Sequence, residues 1–147
     1  MNTPYPGTAY LTYFLKRQGY EIHQVDLGLE LILRIFSKQG LAELFAEVRS
    51  YGDELSEESQ RILALQNNYT SCVETAVKFL QNVDMTSGYR ICTRRFLPEG
   101  PRFAVLDEMD EALFGTMAIE DKARFLATLF LEDLSDFIRV NLDSGFG

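Results

Sequence analysis

Apolar residues recur at three- and four-residue spacing along most of this chain, and the recurrences lay out a series of helices. The longest stripe is Ile62, Leu65, Tyr69, Cys72 with Val73, Ala76, Phe79 with Leu80, and Val83. It predicts one helix of about six turns with Gln66, Asn67, Glu74, Lys78 and Gln81 facing water. Ser56-Glu57-Glu58-Ser59 opens it with a serine cap and first-turn acids, and Asp84-Met85-Thr86-Ser87-Gly88 closes it. A second stripe, Ile119, Ala123, Leu126, Phe130, Leu134, Phe137 and Ile138, predicts a long final helix entered at Thr116 or Met117. A short helix over 107–114, broken at Gly115, precedes it. Residues 89–106, with Pro98, Gly100 and Pro101, read as an extended connection with at most short strand pieces.

Nearer the N-terminus, Asp26 or Gly28 opens a helix through Leu29, Leu31, Ile32, Leu33, Ile35 and Phe36, ending at Gly40. Its near-continuous apolar run predicts burial on more than one side. A second helix carries Leu41, Leu44, Phe45 and Val48 to a break at Tyr51-Gly52-Asp53, and the two are expected to pack on each other. The segment before them alternates in another way. Prolines and Gly7 launch a short helix, Gly19 stops it, and Ile22-His23-Gln24-Val25, within Tyr20–Asp26, reads as a strand ending in an acid. The expected fold is mainly α with one or few short strands, an incomplete α/β fragment. Residues 1–147 form one domain, with a strand-helix unit plus two helices over 1–55 and a long-helix region over 56–147.

Composition narrows the function classes. A length of 147 residues with 46% hydrophobic and 12% aromatic content is enough for a sizeable core. A net charge of -8 argues against non-specific binding to nucleic acid or anionic membranes, because the long-range field repels phosphate. There is no apolar run of about 20 residues, and no basic start with an apolar centre in residues 1–20, so a cytoplasmic location without a membrane partner is expected. Two cysteines, Cys72 and Cys92, make neither a disulfide framework nor a metal site, and are expected to be reduced and structural.

A parallel strand-helix unit normally has a hydrophobic strand before its first loop, yet only Met1 and Asn2 precede this one. Pro6-Gly7-Thr8-Ala9-Tyr10-Leu11, followed by Gly19-Tyr20-Glu21 running to Asp26, resembles the N-terminal, cobalamin-binding-domain-like segment of radical S-adenosylmethionine proteins, also called Fe-S oxidoreductases. Leu131-Glu132-Asp133-Leu134-Ser135-Asp136-Phe137-Ile138 and Asp143-Ser144-Gly145-Phe146-Gly147 resemble the helix and exit loop of a subgroup. The resemblance implies a Rossmann-like sheet completed elsewhere. It also implies a parent enzyme with a [4Fe–4S] cluster and S-adenosylmethionine, and cobalamin as a further candidate, all held outside this chain. The cluster motif needs three cysteines in CxxxCxxC, and the cobalamin motif Asp-x-His-x-x-Gly; neither is present. The chain is then a leading, non-catalytic piece whose partner is its own missing catalytic domain. A sheet lacking its opening strand leaves an unpaired edge, so self-association is expected too, with Tyr20–Asp26 near the contact.

Four groups are candidates for chemistry. Glu132, Asp133 and Asp136 form a close carboxylate set on the last helix, read as a solvated face or helix-loop ion pairs relieved by Arg139. His23 could shuttle a proton or act as a ligand, but nothing beside it in sequence supports more than a structural histidine. Arg90, Arg94, Arg95 and Arg102, with Tyr89 and Phe96, could grip a phosphate or carboxylate, but the acidic balance favours pairing with acids of the protein itself or docking to its own missing part. The loop Pro4-Tyr5-Pro6-Gly7-Thr8 sits where a strand-to-helix turn points N–H groups at a ligand, without a phosphate fingerprint. Three functions follow: the radical S-adenosylmethionine segment, a free-standing acidic helical interaction domain acting as dimer or adaptor, and a small enzyme using an acid and the arginines on an anionic substrate.

Overall fold

The computed structural model describes residues 6–51, 55–108 and 111–146, and over them the chain is mainly helical. The expected loop residues Pro4 and Tyr5, and the break at Gly52-Asp53, lie outside the described residues. Two compact units are present, residues 1–32 and 33–147, a different division from the one drawn at 55/56 from sequence.

In the first unit α1 (Pro6–Arg17) starts at the expected proline and ends where Gly19 takes φ +86°, a left-handed turn that only glycine adopts without strain. The expected strand at Ile22–Val25 is not there: residues 20–26 have no regular structure, and no strand occurs among the described residues. A strand is stabilised by cross-strand pairs, and this segment has no partner strand to supply them. It is tied instead through Gln24, whose Nε2 donates to Thr8 Oγ1 at 3.0 Å. Asp26 opens α2 (Leu27–Ile35) as expected, its Oδ1 accepting from Leu29 N–H at 3.0 Å. The expectation of burial on several sides fails over Leu27, Leu29, Leu31 and Ile32, which are exposed; the run becomes half-buried at Leu33 and Ile35 and buried only at Phe36, beyond the helix.

The second unit holds the core. Ser37 caps α3 (Lys38–Ser50), its hydroxyl accepting from Gly40 N–H at 3.0 Å and donating to Arg34 O at 2.7 Å. Gly40 therefore does not end a helix. It lies in the first turn of α3, where a Cβ would collide with the carbonyls of Arg34 and Ile35, so glycine is what lets the chain fold back so tightly there. Ser56 caps α4 (Glu57–Ala64) as expected, accepting from Ser59 N–H at 3.2 Å. The six-turn helix is interrupted, however. Leu65 N–H is shared between Arg61 O and Ile62 O, and the ladder restarts as α5 (Gln66–Leu80) with Asn68 and Tyr69 donating to Leu65 O. Two asparagines at the restart fit the break, since their amides compete with the backbone for hydrogen bonds.

The expected extended connection over 89–106 is found only in part: residues 89–92 and 101–106 are helical, and 93–100, ending in an extended Gly100, is irregular. A 3-10 turn (Met85–Ser87) capped by Asp84 leads into α6 (Gly88–Cys92), and a strap, residues 93–104, ends in a second 3-10 turn (Pro101–Ala104) before α7 (Val105–Glu108). α8 (Glu111–Thr116) runs through Gly115 instead of stopping at it, and α9 (Ile119–Asn141) closes the unit. Leu41, Phe45 and Val48 of α3 meet Tyr69, Val73 and Phe79 of α5, Ile91 of α6, and Leu126, Phe130, Leu134 and Phe137 of α9 in one buried cluster. Phe45 lies edge-on to Phe137 at 5.6 Å between centroids, and Tyr69 stacks on Phe130 at 5.3 Å. Each such side chain contributes about 1.5–3 kcal/mol by leaving water. No helix among the described residues is long and apolar enough to cross a membrane.

Candidate functional site

The strap crosses α9 where the carboxylates sit, so two of the four candidate groups come together there. Gly100 N–H donates to Asp133 Oδ2 at 3.1 Å and Arg102 N–H to Asp133 Oδ1 at 2.8 Å. Pro101, between them, has no N–H to satisfy. Gly100 has no side chain because the Asp133 carboxylate occupies the place of its Cβ. The Arg102 guanidinium then reaches Asp136 with two bonds, Nε at 2.6 Å and Nη2 at 3.2 Å, while Nη1 lies 3.6 Å from Glu132. Arg139 Nη1 adds a bond to Asp136 Oδ1 at 3.0 Å.

The two aspartates differ in electrostatics. The hydrogen bond from Arg102, reinforced by the charges of Arg102 and Arg139, holds the Asp136 carboxyl below its usual range against some desolvation. Asp133 is only 1% exposed, and burial raises its pKa to about 6. The Arg102 and Gly100 N–H bonds oppose that rise, Asp136 adds to it, and the Arg102 charge opposes it. Beneath lies the Tyr69 hydroxyl, buried with no hydrogen-bond partner, its pKa raised chiefly by burial and then by the Asp133 charge. Two small cavities flank Pro101. One of about 210 Å³ has Asp133, Asp136 and Glu58 above Ile62, Phe137 and Val140, and the other, of about 220 Å³, is lined by Arg61, Arg94, Glu99 and Asp107.

For Glu132 and Asp136 the expected helix-loop ion pairs are present, with Arg139 relieving Asp136 as expected; Asp133 departs from that reading. Asp133 is a buried latch for the strap, and Asp136 and Glu132 neutralise Arg102. Sequence reasoning placed 132 and 136 on one face and missed the burial of 133, although Asp133 falls three residues after Phe130 and four before Phe137, on the buried stripe. The arginines divide as well. Arg94, at a left-handed φ of +55°, forms a two-pronged pair with Glu99 at 2.8 Å, and Arg90 lies over the Phe96 ring at 3.9 Å; Arg95 is exposed. The forks of Arg94 and Arg102, the groups best suited to an anion, are therefore occupied by carboxylates of the same chain.

The other candidates remain apart. His23 is exposed in the irregular segment, 3.7 Å from Glu21 Oε1. Cys72 and Cys92 are free thiols on helices, donating to the carbonyls of Phe96 at 3.0 Å and Ile119 at 3.2 Å. Burial raises the Cys92 pKa, with Lys122 opposing. Thiols held this way on separate helices do not fit an iron-sulfur cluster, and no group of three or more His, Cys, Asp or Glu among the described residues could hold a metal ion. Comparison with known proteins finds no matching family model, no matching curated protein and no matching solved structure.

Proposed function

We propose that this chain is a non-catalytic helical docking module that presents α1 and α2 to a partner. The observation that carries the reading is α2: Leu27, Leu29, Leu31 and Ile32 are all exposed on a nine-residue helix with no fully buried residue, whose last residue, Ile35, is half-buried against the core. Helices this short are marginal in water unless tertiary packing holds them, and α2 carries its charges, Glu30 and Arg34, one turn apart on one face, which leaves the opposite side apolar. α1 adds Tyr10, Leu11, Tyr13 and Phe14, all more than half exposed. The polar groups of the strap, by contrast, are spent on one another and on the backbone, which favours docking over catalysis.

The acceptor has a second reading, favoured by the sequence alone. The Pro6-Gly7 helix start and the Gly19 turn are local features shared with the radical S-adenosylmethionine resemblance, under which α1–α2 docks on the parent's catalytic part. A Rossmann-like completion belongs to that reading. The cluster, S-adenosylmethionine and any cobalamin would be held there by residues outside this chain. A cytoplasmic site of action is part of either proposal.

Photocrosslinking in the producing cell tests the module. A benzophenone amino acid replacing Phe14 is expected to give discrete adducts, and the same probe replacing exposed Tyr89 is expected to give none. Uncrosslinked chain alone at both positions would overturn the reading.

A further inference from the structure

Resting on that docking reading, we propose that the partner of the α1–α2 face is a second copy of this chain, with α1 of each copy laid antiparallel on α2 of the other. Charge favours this face for self-contact. Residues 1–32 carry two basic and three acidic side chains, whereas residues 33–147 carry 12 basic and 19 acidic ones. Two copies brought together through the second unit would meet as strongly like-charged bodies, and through the first as nearly neutral ones.

The charges within the first unit are also ordered. α1 is uncharged until Lys16 and Arg17 in its last turn, and α2 begins at Asp26 with Glu30 in its first turn. Antiparallel exchange places the basic end of one copy's α1 beside the acidic start of the other's α2, twice over because the contact is two-fold. The helix dipoles pair favourably in the same arrangement. With no strand at Tyr20–Asp26, the contact expected from sequence at that segment shifts to the helices on either side of it.

The area is sufficient. Ten large apolar residues between Tyr10 and Ile32 are 39% to 75% exposed. At roughly 150–250 Å² for an aromatic side chain, and somewhat less for an aliphatic one, they expose on the order of 1,000 Å² per copy. A standard stable interface takes about 800 Å² from each partner.

Sedimentation equilibrium of the purified full chain is the test, with circular dichroism confirming that each variant keeps its helices. The wild type is expected to be a dimer at micromolar concentration. Leu29→Glu is expected to weaken it by roughly 100-fold, through a buried unpaired charge. Tyr13→Ser, which introduces no charge, provides a second apolar probe and is expected to weaken it as well. Lys16→Glu with Arg17→Glu, and Glu30→Lys alone, should each weaken the dimer by about three- to tenfold, and mixing the two variants should restore association. A monomer at all concentrations, a dimer indifferent to Leu29→Glu and Tyr13→Ser, or a mixture no tighter than its components would overturn the proposal. So would a monomer that floats with phosphatidylcholine vesicles, which would make the occupant a lipid surface. Crosslinks from position 14 to a different protein, with no product of twice the chain mass, would sink the dimer and leave the docking reading standing.

Discussion

The two units of this protein are built from similar apolar helices and differ in whether those helices are covered. In residues 33–147, α3, α5 and α9 turn their stripes toward one another, and Phe45, Tyr69, Phe79 and Phe130 are excluded from water. In residues 1–32, side chains of the same kinds stand exposed. Apolar periodicity therefore specifies a helix and the face it wants to bury, but not what buries it. Coverage depends on a second surface, and the described residues of the first unit do not supply it.

The sharpest way to break this contrast is truncation. Phe130→Ala removes the ring stacked on Tyr69 and should cost about 3–5 kcal/mol, lowering the melting temperature by roughly 10 °C. Tyr13→Ala in monomeric protein should change stability by less than about 0.5 kcal/mol. Equal losses at the two sites, measured by thermal unfolding at low concentration, would erase the distinction between covered and uncovered units.

The strap sharpens it further, since its attachment belongs to the covered unit alone. Gly100→Ala places a methyl group on the Asp133 carboxylate and should destabilise by about 2–3 kcal/mol in urea titrations, with faster amide exchange at Gly100 and Arg102. The φ of Gly100 is -93°, so the loss would come from the contact and not from backbone strain.

A smaller effect is written in pH. Burial raises the Asp133 pKa to about 6, above the ordinary value near ~3.9, so its protonated form is favoured by folding. That contribution is fully present below pH ~4 and is lost as pH rises through about 6, a swing of about 3 kcal/mol. Relative to Asp133→Asn, wild type should lose stability between pH 4 and 6 and run parallel above that. Asp136 has the opposite sign: its lowered pKa gives stability that is present above the usual carboxylate range and is lost on acidification. Because the Arg102 pair is substantially exposed, Asp136→Asn should cost under about 1 kcal/mol, and still less at high salt.

What was legible in the sequence follows the same division between local and long-range causes. Ser56 and Asp26 cap their helices as read, Gly19 stops α1, and the stripe on α9 faces the core from Ala123 to Ile138. These depend on neighbours a few residues away. The strand at Ile22–Val25 was misread because its alternation was local while its partner strand had to come from elsewhere. Gly40 was misread as a stop because its meaning lies in the carbonyls it approaches, and the break at Leu65 because an apolar stripe continues across it. At the site, the pairing of arginines with acids was foreseeable from charge. The buried role of Asp133 was available in its spacing from Phe130 and Phe137, and could be recognised only once the N–H groups of Gly100 and Arg102 were known to arrive there.

The two thiols add a practical consequence. Cys72 Sγ is held against the carbonyl of Phe96 and Cys92 Sγ against that of Ile119, partners 24 and 27 residues away. Cys72 is buried, so a maleimide or disulfide reagent must wait for the strap to lift before it can attack, whereas Cys92 is half-exposed and within reach. Labelling kinetics at Cys72 would therefore time the breathing of the strap in the native chain, with Cys92 as the internal reference and without any engineered reporter.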